Sequence, residues 1–154
     1  MNIIIHRGTH QIGGSAIEIS TKSTRIILDF GNELSLDEKY IPINLDIDGV
    51  TKGMLDCDGI VISHYHMDHL GQLTSALPEI PLYMGKLSKE VAMIATEHQD
   101  KDLYLRLLGA NTFRGGKAFT IGNIHIRPLV IDHSAVDSYM FVIEAEGKRV
   151  LYTG

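Results

Sequence analysis

A chain of 154 residues, 44% of them apolar, has enough material for one domain with a buried core and does not have the composition of a disordered segment. Its formal net charge of −5 provides no global basic field for nucleic acid, and no run reaches the ~18 apolar residues of a membrane helix. The lone cysteine, Cys57, excludes an intrachain disulfide and suits a reducing compartment. The start, Met1 to His6, has neither the basic head nor the long apolar stretch of a signal peptide, so the expectation is a soluble, cytoplasmic protein.

Asn2 to His6 reads as a first strand. The loop from Arg7 to Gly14 carries Gly8, Gly13 and Gly14 but neither G-x-G-x-x-G nor G-K-[ST]. A tight turn needing positive φ is therefore preferred to a phosphate cradle, with His10 exposed. Ala16 to Ser20 and Arg25 to Asp29 form a hairpin, closed by Asp29-Phe30-Gly31. An aspartate at that position can accept N–H bonds and brace a neighbouring loop, or it can be an ordinary turn residue. The spacing leaves both readings open. Asn32 to Cys57 is a long connection expected to border a cleft, with Asp37-Glu38-Lys39 as a solvated face.

The stretch Asp58 to Ser63 reads as a buried strand, and His64-Tyr65-His66-Met67-Asp68-His69 follows directly. Two histidines two residues apart leave an extended backbone on the same side, so their imidazoles can converge on one ion. Asp68 and His69 can turn toward a second ion beside the first. Two such ions clamp the reacting group of a phosphodiester or acyl substrate. A structural zinc site would call for cysteines, and a histidine-rich surface loop would not need a strand leading into it.

After the motif, Leu70 to Leu73 suggests a short helix and Leu82 to Met84 a short strand. One helix is expected from an N-cap at Ser88 to a stop at Gly109, with His98 on its surface and Met84 and Met93 filling the core. Lys117 to Thr120 and Ile124 to Ile131 are strands around a Gly122-Asn123 turn, with His125 and Arg127 facing solvent. His133 stands just past a strand end and is a natural third nitrogen ligand for the first ion. Ser138 to Ala145 reads as a strand buried on both faces, and Arg149 to Thr153 as the last strand.

Taken together, the glycine loop and hairpin, Asp29, the His64/His66/Asp68/His69 signature and His133 resemble a metallo-β-lactamase-fold hydrolase. The Asp132–Ser138 and Lys148–Gly154 segments resemble its β-CASP, ribonuclease J-like branch. The resemblance implies an α/β (α+β) fold with a mixed sheet, from the N-terminal half of an αββα sandwich. It implies zinc held by His64, His66 and His133, a second ion held in part by Asp68 and His69, and Asp29 as a brace behind the ligands. Asp68 would also take up a proton during hydrolysis of RNA. In that family Thr-Gly is followed by a metal-bridging aspartate, and a later histidine completes the second site. The sequence stops at Gly154, so residues 1–154 are expected to be an incomplete domain lacking the second β-half and the β-CASP insertion. Such a piece would hold at most one zinc well, would be inactive or nearly so, and would self-associate through an uncovered apolar face. Two other functions remain compatible with the motif: hydrolysis of a small thioester or lactone, and a non-catalytic metal-binding module.

Overall fold

The computed structural model describes residues 1–34 and 43–154; the Asp37-Glu38-Lys39 run and Pro42 lie outside them. The first sheet contains β1 (Asn2–Arg7), β2 (Ala16–Ser20), β3 (Arg25–Leu28), β4 (Gly59–Val61), β5 (Leu82–Gly85) and β6 (Asn111–Phe113), in that spatial order. The hairpin strands β1, β2 and β3 pair antiparallel, and β3 through β6 pair parallel. Between the parallel strands run α1 (Met67–Leu70), a 3-10 turn (Leu73–Ser75), α2 (Lys86–Thr96) and α3 (Lys101–Leu108). The second sheet is antiparallel in the order β10-β9-β8-β7, built from β7 (Phe119–Ile121), β8 (Ile124–Val130), β9 (Tyr139–Ala145) and β10 (Lys148–Tyr152).

Two cores follow from the period-two geometry of the strands. Ile27, Ile60 and Ile62 pack with Leu70, Leu73, Leu103 and Leu107 on the helical side. Their neighbours Ile26, Leu28 and Val61 point the other way, against Ile126, Phe141 and Ile143 of the second sheet. The centre of the first sheet is thus apolar on both faces, as expected of parallel strands covered on two sides. It holds the ends of β3 and β4 in fixed register.

Four expectations need correcting. The expected uncovered apolar sheet face does not occur: the four strands after Lys117 form a second sheet that packs on the first, so the face between the sheets is buried. Large apolar side chains are instead exposed on the edge strand β1, at Ile3, Ile4 and Ile5, and on β10, at Leu151. The long helix is two helices. Asp100 has left the helical conformation and its carboxylate accepts the N–H of Leu103 at 3.0 Å, so a new helix starts there. Ser88 is no N-cap; α2 starts two residues earlier, and Ser88 is fully buried. Finally, β9 buries one face and only half-buries the other, because no layer covers the outside of the second sheet among the described residues. Strand β6 is three residues long, too short for its alternation to be read.

Candidate metal centre

The site begins where β4 ends. Ser63 N–H donates to Asp29 Oδ1 at 2.6 Å, which ties the exit of β4 to the end of β3. Asp29 sits in the left-handed region (φ 55°) and is fully buried. The chain then passes through His64 and His66 into α1, whose first backbone bonds run from His69 and Leu70 to the carbonyl of His66. Three backbone N–H groups clamp this helix from outside: Ser15 to the carbonyl of Asp68, Phe30 to that of His69, and Asn32 to that of Met67. Two glycines allow that closeness. A Cβ on Gly31 would lie 1.6 Å from the Asp68 carbonyl oxygen, and one on Gly13 would lie 2.8 Å from Asp68 Cβ. Gly8, Gly13 and Gly14 all adopt positive φ, as a tight turn requires, and His10 is exposed.

His133 arrives from the second sheet. Its loop is closed by a bond from Ile131 N–H to the Ser138 carbonyl (3.1 Å) and one from Ser138 Oγ to the Ala135 carbonyl (2.6 Å). Tyr139 N–H then donates to the Ser63 carbonyl at 3.1 Å, joining the start of β9 to the motif. The result brings His64, His66 and His133 together, with ligand nitrogens all within 4.8 Å of one another. Ring centroids of His133 lie 4.6 Å from His64 and 5.1 Å from His66. The cluster grades from buried His64 through half-buried His66 to exposed His133, so it opens to solvent on one side. A zinc ion held by three protein ligands with a fourth position open would be of the catalytic rather than the structural kind. His69 is adjacent, its ring 4.0 Å from that of His64, and its Nε2 is 3.4 Å from Asp68 Oδ2.

Behind the imidazoles, the Asp29 carboxylate gathers donors. Oδ2 accepts from Ser63 Oγ (2.7 Å), His69 Nδ1 (2.7 Å) and Tyr152 OH (2.5 Å). Burial, aided by the Asp29 charge, pushes the Tyr152 phenol up, so it stays a donor. Burial works to lower the His69 pKa, but the bond to Asp29 and the charges of Asp29 and Asp68 outweigh it and leave it raised. His64 goes the other way: burial, then the proximity of the His69 charge, lowers it to about 4. Burial and His133 also lower His66. Two neutral imidazoles beside a carboxylate are suited to a divalent cation. The most direct indication of fit is His64 Nε2, a buried nitrogen with no hydrogen-bond partner among the described residues.

The remaining candidates lie elsewhere. His98 is exposed beside Glu97, and His125 bonds Thr120 on the outside of the second sheet. Cys57 is buried, and burial pushes its thiol up to about 11, as for an inert core residue. A cavity of about 660 Å³ on the helical side, lined by Ile80, Leu105 and Arg106, contains none of the site residues. Sequence reasoning missed Ser63 and Tyr152. Ser63 was signalled only by its place next to His64, and Tyr152 lies 123 positions from the carboxylate it meets.

Residues 42–154 match the beta-lactamase superfamily domain. An RNase of Saccharolobus solfataricus, aCSPSF2, is 36% identical over 109 residues, covering 67% of this chain and 19% of its own. An RNase J-like protein of Methanocaldococcus jannaschii is 27% identical over 170 residues, covering 97% of this chain and 35% of its own. The chain therefore spans between a fifth and about a third of the length of these relatives. A crystal structure of a protein of unknown function from Enterococcus faecalis superposes with a TM-score of 0.82 at 21% identity, over 99% of this chain and 42% of the other.

Proposed function

We propose that this chain, which belongs to the beta-lactamase superfamily on its ribonuclease J-like branch, serves hydrolysis of phosphodiester bonds in RNA at a zinc centre. The observation that carries the reading is the meeting of imidazoles from two sheets around a buried nitrogen with no partner. His64, His66 and His133 would hold the ion, and Asp68 and His69 would contribute to a second. When bound, such an ion polarises a phosphoryl oxygen and acidifies a water molecule. The protein's own part is positional. The clamp from Ser15, Phe30 and Asn32 fixes the α1 backbone, and Asp29 sets the His69 ring with Nδ1 protonated and Nε2 facing Asp68. Asp68, half-buried and beside that ring, would take up a proton and return it. The open side at His133 admits substrate.

Asp68 and His69 are two ligands, too few to hold a second ion firmly. The 154-residue chain by itself is therefore expected to bind one zinc well and to be inactive or nearly so. The net charge of −5 favours a second reading, hydrolysis of a small thioester or lactone. The test uses the full reading frame containing these residues, assayed with single-stranded RNA, a thioester and a lactone. Cleavage of RNA that disappears in His64→Ala and His133→Ala supports the proposal. Turnover of the thioester or lactone alone supports the second reading. Zinc bound with no turnover of any substrate leaves a metal-binding module.

A further inference from the structure

We propose that Ser63 is a positioning residue, whose hydroxyl links Asp29 to the His64 imidazole and holds that ring in the Nδ1–H form with Nε2 free for a metal ion. The inference rests on the metal-centre reading above and goes beyond it. It follows from counting protons. Ser63 Oγ is fully buried and has three polar neighbours: Asp29 Oδ2 at 2.7 Å, His64 Nδ1 at 2.9 Å and His69 Nδ1 at 3.4 Å. A serine hydroxyl has one hydrogen to give and two lone pairs to receive.

The hydrogen goes to Asp29. Every polar group around that carboxylate is able to donate to it: the Ser63 N–H to Oδ1, and His69 Nδ1 and Tyr152 OH to Oδ2. A carboxylate has only lone pairs to offer, so it receives from all of them. With its hydrogen committed there, Ser63 Oγ can only accept from His64, which makes His64 Nδ1 the protonated nitrogen. His64 Nε2 is then a bare lone pair. That matches its burial without a hydrogen-bond partner, a costly state for an N–H but a suitable one for a ligand atom. His69 reaches the same tautomer by direct contact with Asp29, so one carboxylate sets two rings, the second through Ser63.

Two measurements test this on the 154-residue chain. The first is the tautomer of His64 in metal-free protein, read from imidazole ¹⁵N shifts: Nδ1 protonated and Nε2 bare are expected, and a proton on Nε2 would overturn the proposal. The second is cobalt(II) affinity, followed by its visible bands in competition with a chelator. Ser63→Ala is expected to weaken binding by about 10–100-fold, the usual range for losing a residue that orients a ligand. Ser63→Thr, which keeps the hydroxyl, should restore it to within a few-fold. A folded Ser63→Ala protein that binds cobalt as tightly as wild type would also overturn the proposal. If either variant fails to fold, the wild-type tautomer decides. A wild-type protein that binds no cobalt while showing the Nδ1–H form would sink the metal-centre reading and leave the assignment of Ser63 standing.

Discussion

At the scale of single residues, the site separates its histidines by charge state. Burial lowers the His64 pKa to about 4, whereas the hydrogen bond to Asp29, with the charges of Asp29 and Asp68, outweighs burial and leaves His69 raised. The sign for stability follows. In metal-free protein the native state carries fewer protons on His64 than the unfolded chain does, from the ordinary histidine range near 6.5 down to about 4. Its contribution to stability is complete above 6.5 and is lost as pH falls through that window. His69 has the opposite sign and gives stability that disappears as pH rises past its raised value. We expect urea unfolding of metal-free protein to show stability falling from pH 6.5 to 4, and His64→Gln to flatten that slope. An unchanged slope would mean that another group carries it. The clustering of His64, His66 and His133 was legible in the sequence because spacing and strand ends are local facts. The supporting groups were not. Spacing alone leaves Asp29 open between brace and turn residue, and Tyr152 gives no local sign, since the contact exists only after two sheets have packed.

Among the elements, alternation and turn residues recovered most strands to within a residue or two of their observed ends. What could not be read was how distant groups override local pattern. Helix α2 begins at Lys86 because Asp137, 50 positions away, accepts the N–H groups of Leu87 (2.8 Å) and Ser88 (3.2 Å). A carboxylate at a helix start satisfies orphan donors and favours the positive end of the macrodipole. Asp137 also receives the Tyr139 hydroxyl, and it lies in the loop that carries His133. Its positive φ (62°) disfavours most side chains but is tolerated by asparagine. Asp137→Ala should therefore destabilise the protein by roughly 1–2 kcal/mol, from the lost cap together with backbone strain. Asp137→Asn, which keeps an acceptor and accepts the backbone, should lose much less. Urea midpoints of the two variants check this, and equal losses would refute the capping argument.

On the scale of the whole molecule, the fold is an α-layer and two sheets, with exposed apolar groups displaced to its margins. Strand β1 is the edge of the first sheet and leaves Ile3, Ile4 and Ile5 about half exposed, with no charge between Asn2 and Ile5 to discourage pairing. Concentration-dependent self-association in sedimentation is expected, and Ile4→Lys should suppress it. A bound metal would add a different constraint. His64 and His66 follow a strand of the first sheet and His133 follows a strand of the second, so a shared ion would cross-link the two sheets near the bond between Tyr139 N–H and the Ser63 carbonyl. An ion that binds only the assembled site stabilises the fold by mass action, by ~2.7 kcal/mol at a free concentration 100 times its dissociation constant. Chelation should therefore lower Tm by several degrees, at about 2–8 °C per kcal/mol for domains between 60 and 250 residues. His133→Ala separates the two contributions. Its side chain is exposed, so the metal-free Tm should barely move, yet the chelator-sensitive increment should shrink toward that of a two-histidine site. If His133→Ala kept the full increment, the ion would be held within the first sheet alone, and the cross-link between the sheets would be refuted.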